Sequence, residues 1–158
     1  MRFCAAGHII GGTLALTIGA VQMVPALRNR YINVHRWLGR TYLAAIALAG
    51  TSALMLVPTV SLNEHWSWAV TLGTLASVWI LCAAMGYRAI RLRRIQQHKE
   101  WMIRSYVVTF SFVFFRILNV ELFGNVGEFV ERGPTFGWAS WSVPLFITDM
   151  CLQWNKKQ

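Results

Sequence analysis

Residues Gln97–Arg116 read QHKEWMIRSYVVTFSFVFFR. The stretch begins polar and basic, passes Trp101 and Tyr106, and turns into a run of Val, Phe and Thr that an arginine closes. A water-facing helix carries one apolar stripe and one wet face. From Val107 to Phe115 there is no wet face, and only Thr109 and Ser111 bring hydroxyls. Such a segment is a helix whose surroundings are lipid and other helices. Eighteen residues separate His98 from Arg116. That is five turns, so both lie on one face, ~27 Å apart, with Ser105, Thr109 and Phe112 between them. Arg104 points about 120° away, free to snorkel or to pair with Asp149 at a similar depth. Arg116 costs at least ~2–3 kcal/mol if lipid surrounds it. It is therefore expected to face protein, an anionic group or a wet cavity, with Glu121 as one candidate partner.

The whole chain supports a lipid setting. It has 158 residues, 56% of them hydrophobic and 13% charged, against roughly a quarter charged in an ordinary globular domain. A hydrocarbon core of ~30 Å takes ~20 residues of helix. Five stretches qualify or nearly do: 5–27, 36–58, 67–88, 101–123 and 136–154. The expected fold is all-α, a single integral membrane helical bundle of about five spans around a four-helix core. Its junctions are too short for a separate soluble domain.

The net charge is +9, yet its placement argues against a nucleic-acid partner. Most cations surround alternate junctions: Arg28, Arg30, Arg36 and Arg40 at the first, and Arg88, Arg91, Arg93, Arg94 and Lys99 at the third, with Lys156 and Lys157 at the end. The other junctions hold Glu64, Glu128 and Glu131 against Arg132. This is positive-inside patterning. It places the chain in the inner (cytoplasmic) membrane, N-terminus outside and C-terminus cytoplasmic, with basic loops on anionic headgroups.

The first span carries His8, Gly11, Gly12, Ala15 and Gly19 at helical spacing, and Gly7 and Gly11 form the close-approach pattern GxxxG. That face is read either as helix packing or as room beside His8 for something flat. At the second span Asn33 is a candidate cap, His35, Gly39 and Tyr42 share a face, and Arg36 and Arg40 can reach phosphates. Pro58 ends that span. His65 opens the third. Pro144 is expected to kink the fifth, where Asp149 needs a partner. Cys4, Cys82 and Cys151 form no paired framework, and CxxCH is absent, which excludes covalently attached c-type haem. No HExxH, carboxylate pair or serine motif suggests a hydrolase.

By depth, His8 and His65 fall at the outer ends of spans one and three, and His35 and His98 at the inner ends of spans two and four. Alternate helices sit diagonally in a four-helix bundle, and two facing imidazoles are what axial coordination of haem iron requires. His35-Arg-Trp-Leu-Gly-Arg40 and His98-Lys-Glu-Trp-Met-Ile-Arg-Ser105, after a His-bearing Gly-rich span, resemble a family of predicted bacterial multi-pass membrane proteins of unassigned function. Members have one further N-terminal span, so the chain is expected to be a short member or an incomplete frame. The diagonal arrangement is also similar to the two-haem transmembrane cytochromes b. That resemblance implies one or two b-type haems, with His8 and His65, and His35 and His98, as iron ligands. Arg116 would meet an outer propionate and Arg36 and Arg40 inner ones, with Trp101 and Met102 walling the macrocycle. The implied activity is electron transfer, as a transmembrane oxidoreductase if an enzyme, with quinone or another redox partner. The alternatives are a haem-free protein binding an anionic lipid or small anion through the inner His/Arg cluster, and a structural membrane subunit.

Overall fold

The computed structural model describes residues 1–61 and 66–154. Helix α1 is Arg2–Gln22, α2 is Pro25–Arg30, and α3 is Ile32–Leu56, continued by a π-helical turn Val57–Ser61. Helix α4 is Trp66–Arg91 and α5 is Ile95–Thr109. The short α6, Ser111–Arg116, runs into a second π-helical turn, Ile117–Leu122, and α7 is Phe129–Trp154. Among the described residues, four helical segments are long and apolar enough to cross a membrane: Arg2–Gln22, Ile32–Thr59, Trp66–Arg91 and Ile95–Leu122. Helix α7 holds the expected fifth span in 26 continuous residues but adds Glu131, Arg132, Asp149 and two prolines.

Several helix ends follow from their residues. Pro25 opens α2 at a position where the missing N–H is harmless. Pro58 lies in the π turn, two residues past the end of α3. The α4–α5 turn closes on Arg93, whose φ of 59° is the left-handed conformation of a helix C-terminus. Its neighbour Arg94 donates its N–H to the Ala89 carbonyl at 2.9 Å. This reversal lays the start of α5 back along the end of α4.

The bundle closes as a ring: α1 packs on α3, α3 on α4, α4 on α5, and α5 returns to α1. Helices α1 and α4 therefore face one another across a diagonal, as do α3 and α5. Helix α7 lies outside, against α4, α5 and α6. The interior is made of Ala15, Tyr42, Ile46, Ala49, Trp79 and Val108, while Phe3, Ile9, Trp37, Leu81 and Phe146 stand exposed on the outside. An apolar exterior over an equally apolar interior is the arrangement lipid permits and water does not.

Two local expectations change. Asn33 makes no cap; Tyr31 precedes the helix and Asn33 lies in its first turn. The stretch from His98 to Arg116 is not one straight helix: it breaks at Phe110, where ψ is −7°, and changes to π register after Arg116. The Thr109 hydroxyl donates back to the Ser105 carbonyl at 2.8 Å, a bond that bends helices. The five-turn alignment of His98 with Arg116 is therefore lost.

Candidate functional site

The first junction and the α4–α5 turn form a basic rim. His35 begins α3 and His98 begins α5, on opposite corners of the ring. The two are close enough for their charges to interact, with Arg28 and Arg36 adding to the same field. The Nδ1–H of His98 donates to the Gly86 carbonyl at 2.9 Å, which leaves Nε2 free. An imidazole held through one nitrogen by a carbonyl is how a metal-binding histidine is oriented. The Nδ1 of His35 is buried with no partner, as is Oε1 of Gln22, whose amide N–H donates to the His35 carbonyl at 2.8 Å. Buried polar atoms left unpaired are expensive. One turn on, a side chain at Gly39 would meet only Gln22 Nε2, at 3.5 Å. Arg36 and Arg40 are exposed on α3 beside this cluster.

The site has a floor two turns deeper, where hydroxyls close the α3–α5 diagonal. Tyr42 Oη lies 3.0 Å from Ser105 Oγ and 3.1 Å from Thr109 Oγ1, and Trp79 Nε1–H donates to Thr109 Oγ1 at 2.8 Å. Proton counting fixes the directions. Thr109 spends its proton on the Ser105 carbonyl, so Tyr42 donates to Thr109 and Ser105 donates to Tyr42. The oxygen of Thr109 is then saturated, with one bond given and two received. Sequence reading placed Ser105 and Thr109 between His98 and Arg116 and Tyr42 on a face with His35, but gave these hydroxyls no role.

At the opposite rim, His8 Nδ1–H donates to the Ala49 carbonyl at 3.0 Å, and its ring meets Phe112 edge-on at 5.9 Å. The proposed partner His65 lies outside the described residues. The glycine face of α1 does not open a slot for a flat ligand. A Cβ at Gly11 would stand 2.7 Å from the Ala45 carbonyl, and one at Gly7 2.8 Å from Ser52 Oγ. At Gly19 the room is taken by the Tyr106 ring. Gly7, Gly11 and Gly19 serve close packing of α1 on α3 and α5, whereas Gly12 faces open space. Arg116 is exposed and makes no described hydrogen bond or ion pair, so the expected pairing with Glu121 is not formed. Near a helix end its long stem lets the charge leave the apolar layer.

Arg104 takes the partner foreseen for it. Its Nη2 lies 2.6 Å from Asp149 Oδ1 and its Nε donates to the same oxygen at 2.7 Å. Glu100 adds a longer contact at 3.9 Å, and Trp101 stacks under the guanidinium at 4.9 Å. This pair ties α7 to α5. Trp101 and Met102 pack against the bundle core, Met102 resting on Gly86, so neither is a free wall beside the histidines.

Two imidazoles stand at the basic rim on diagonal helices, one oriented through Nδ1 by the Gly86 carbonyl and one whose buried Nδ1 has no partner among the described residues. At the other rim Gly7 and Gly11 are taken up by helix packing. Among the described residues no three His, Cys, Asp or Glu side chains cluster as a metal site; two axial imidazoles do not require such a cluster.

These features define a multi-pass helical membrane protein with a polar cluster at its basic rim. The chain belongs to the family described as Predicted membrane protein (DUF2306), which matches residues 5–152. No curated protein and no solved structure matches it.

Proposed function

We propose that the protein is a b-type cytochrome-like electron carrier of the inner membrane, with one haem held at the basic rim by His35 and His98. The observation that carries this is the pairing of an oriented imidazole with an unsatisfied one on diagonal helices. The Gly86 carbonyl holds His98 in one tautomer and one direction. Gln22 fixes the backbone at His35. Arg36 and Arg40 supply positive charge for propionates, and the Tyr42–Ser105–Thr109 network keeps the helices at a set spacing below. When bound, the haem supplies one-electron chemistry. The clustering of cations at alternate junctions supports the orientation expected from the sequence.

The test is a pyridine haemochrome spectrum and a reduced-minus-oxidised spectrum on protein purified in detergent. Wild type is expected to show a Soret band that shifts with dithionite. His35→Ala and His98→Ala are each expected to lose it, whereas His8→Ala keeps most of it. A colourless wild type from haem-replete cells overturns the proposal.

A second reading has its own observation. A groove of about 370 Å³ between α3 and α4 is lined by Leu43, Ala47 and Ile80 and runs to Arg40 and Tyr87. Arg91 donates to Tyr87 Oη at 3.3 Å, so two guanidiniums stand at the groove's polar end. That suits an acyl chain with an anionic headgroup. Phosphatidylglycerol is expected to co-purify with wild type and to be depleted from Arg40→Ala by several-fold in native mass spectrometry. Equal retention by the variant removes this reading.

A further inference from the structure

Beyond the break at Phe110, a cavity of about 430 Å³ lies between α4, α6 and α7. Such a volume lies in the range of small-molecule sites. Four aromatic side chains line it: Trp68, Phe112, Phe115 and Phe129. Trp68 and Phe129 stack at 5.6 Å, and Phe115 meets both edge-on, at 6.0 and 6.5 Å. Leu72, Leu75 and Val130 complete the apolar lining, and no charged side chain enters it. Phe112, Phe129 and Val130 are exposed at its margin, where acyl chains would surround the protein.

One polar atom in this lining is out of place. Three hydroxyls nearby donate to a carbonyl one turn back: Thr71 to Ser67, Thr109 to Ser105, Ser140 to Gly137. Ser111 does not. It is 1% exposed, it lines the cavity, and its Oγ has no partner. A buried hydroxyl without an acceptor is costly in an apolar setting, and here it sits on the wall of an empty-sided aromatic box. The complementary occupant is flat, uncharged and lipid-soluble, and carries an oxygen that accepts a hydrogen bond.

We infer that this cavity binds the ring of a quinone, whose carbonyl accepts the Ser111 hydroxyl while Trp68, Phe115 and Phe129 enclose its faces. The quinone is named here as the redox partner of the electron-carrier reading, and what the ring does there rests on that reading; binding of the ring does not. Phe112, on the cavity wall, is also the ring that touches His8, so the site adjoins the bundle interior at the rim opposite His35 and His98. An acyl chain is the competing occupant, and it offers Ser111 nothing.

The probe is ubiquinone-1 added to purified protein in detergent, followed by tryptophan quenching against empty micelles, with decanoate as the acyl competitor. Saturable quenching is expected. Ser111→Ala is expected to weaken Kd roughly threefold to tenfold, the loss of one hydrogen bond, with an unchanged thermal melt. Val130→Trp, which fills the cavity, is expected to abolish binding. Absence of saturable quenching, unchanged affinity in Ser111→Ala, or displacement by decanoate as effective as by quinone each overturns the inference. Quinone binding by a colourless protein would remove the haem and leave the cavity assignment standing; a Soret band without quinone binding would do the reverse.

Discussion

Thr109 shows how much one side chain decides in this protein. Its oxygen receives Trp79 and Tyr42 and gives its proton to the Ser105 carbonyl. Those bonds join α3, α4 and α5 at one atom and bend the last of them. Thr109→Val keeps the shape but leaves the Trp79 N–H and the Tyr42 O–H without acceptors. Each such orphan costs ~1–3 kcal/mol. Tyr42→Phe removes two bonds but leaves only one donor, the Ser105 O–H, unpaired. Thermal unfolding in detergent is expected to rank wild type above Tyr42→Phe and Tyr42→Phe above Thr109→Val. A Thr109→Val melt as high as that of Tyr42→Phe would show that the network is not what closes the diagonal.

At the scale of elements, α1 is held by absent side chains rather than by interlocking ones. Gly11 lets the helix reach the α3 backbone, with the Ala45 carbonyl 2.7 Å from where a Cβ would be. Gly12, its neighbour, has nothing within 4 Å of that position. The pair is an internal control. Gly11→Ala forces α1 and α3 apart and is expected to cost ~1–3 kcal/mol, as overpacking does, lowering the melting temperature by several degrees. Gly12→Ala is expected to be neutral or slightly stabilising, because alanine is the better helix former. Equal effects in the two variants would mean that the α1–α3 approach is not set by Gly11. The same logic separates the two histidine-bearing ends. At His8, Gly7 and Gly11 are used by packing, whereas at His35 a side chain at Gly39 would meet Gln22 Nε2 at an ordinary 3.5 Å.

For the molecule as a whole, the charge pattern predicts a cytoplasmic C-terminus. A C-terminal green fluorescent protein fusion is expected to fluoresce and an alkaline phosphatase fusion to be inactive; the opposite pair of results reverses the orientation. Much of the architecture was readable because lipid imposes it. Runs such as Ala69–Tyr87 and Val107–Phe115 have no face fit for water, and backbone groups in hydrocarbon must bond within their own helix, so the helical class followed from composition and length, while four of the five expected spans are long and apolar enough to cross among the described residues. The Arg104–Asp149 pair was readable for a related reason: two charges at one depth in an apolar layer need each other. The break at Phe110 was not readable, because it depends on which of several available acceptors the Thr109 hydroxyl takes, and Trp79 and Tyr42 arrive from helices distant in sequence. Nor was the use of the glycines, since GxxxG states that a helix can be approached closely but not by what. Composition and periodicity thus determined that this chain is a helical bundle in lipid with histidines at its rims. Which imidazole is oriented, which nitrogen is left bare and where a cavity opens were decided only by tertiary structure, because each depends on directional contacts between helices that no single segment encodes.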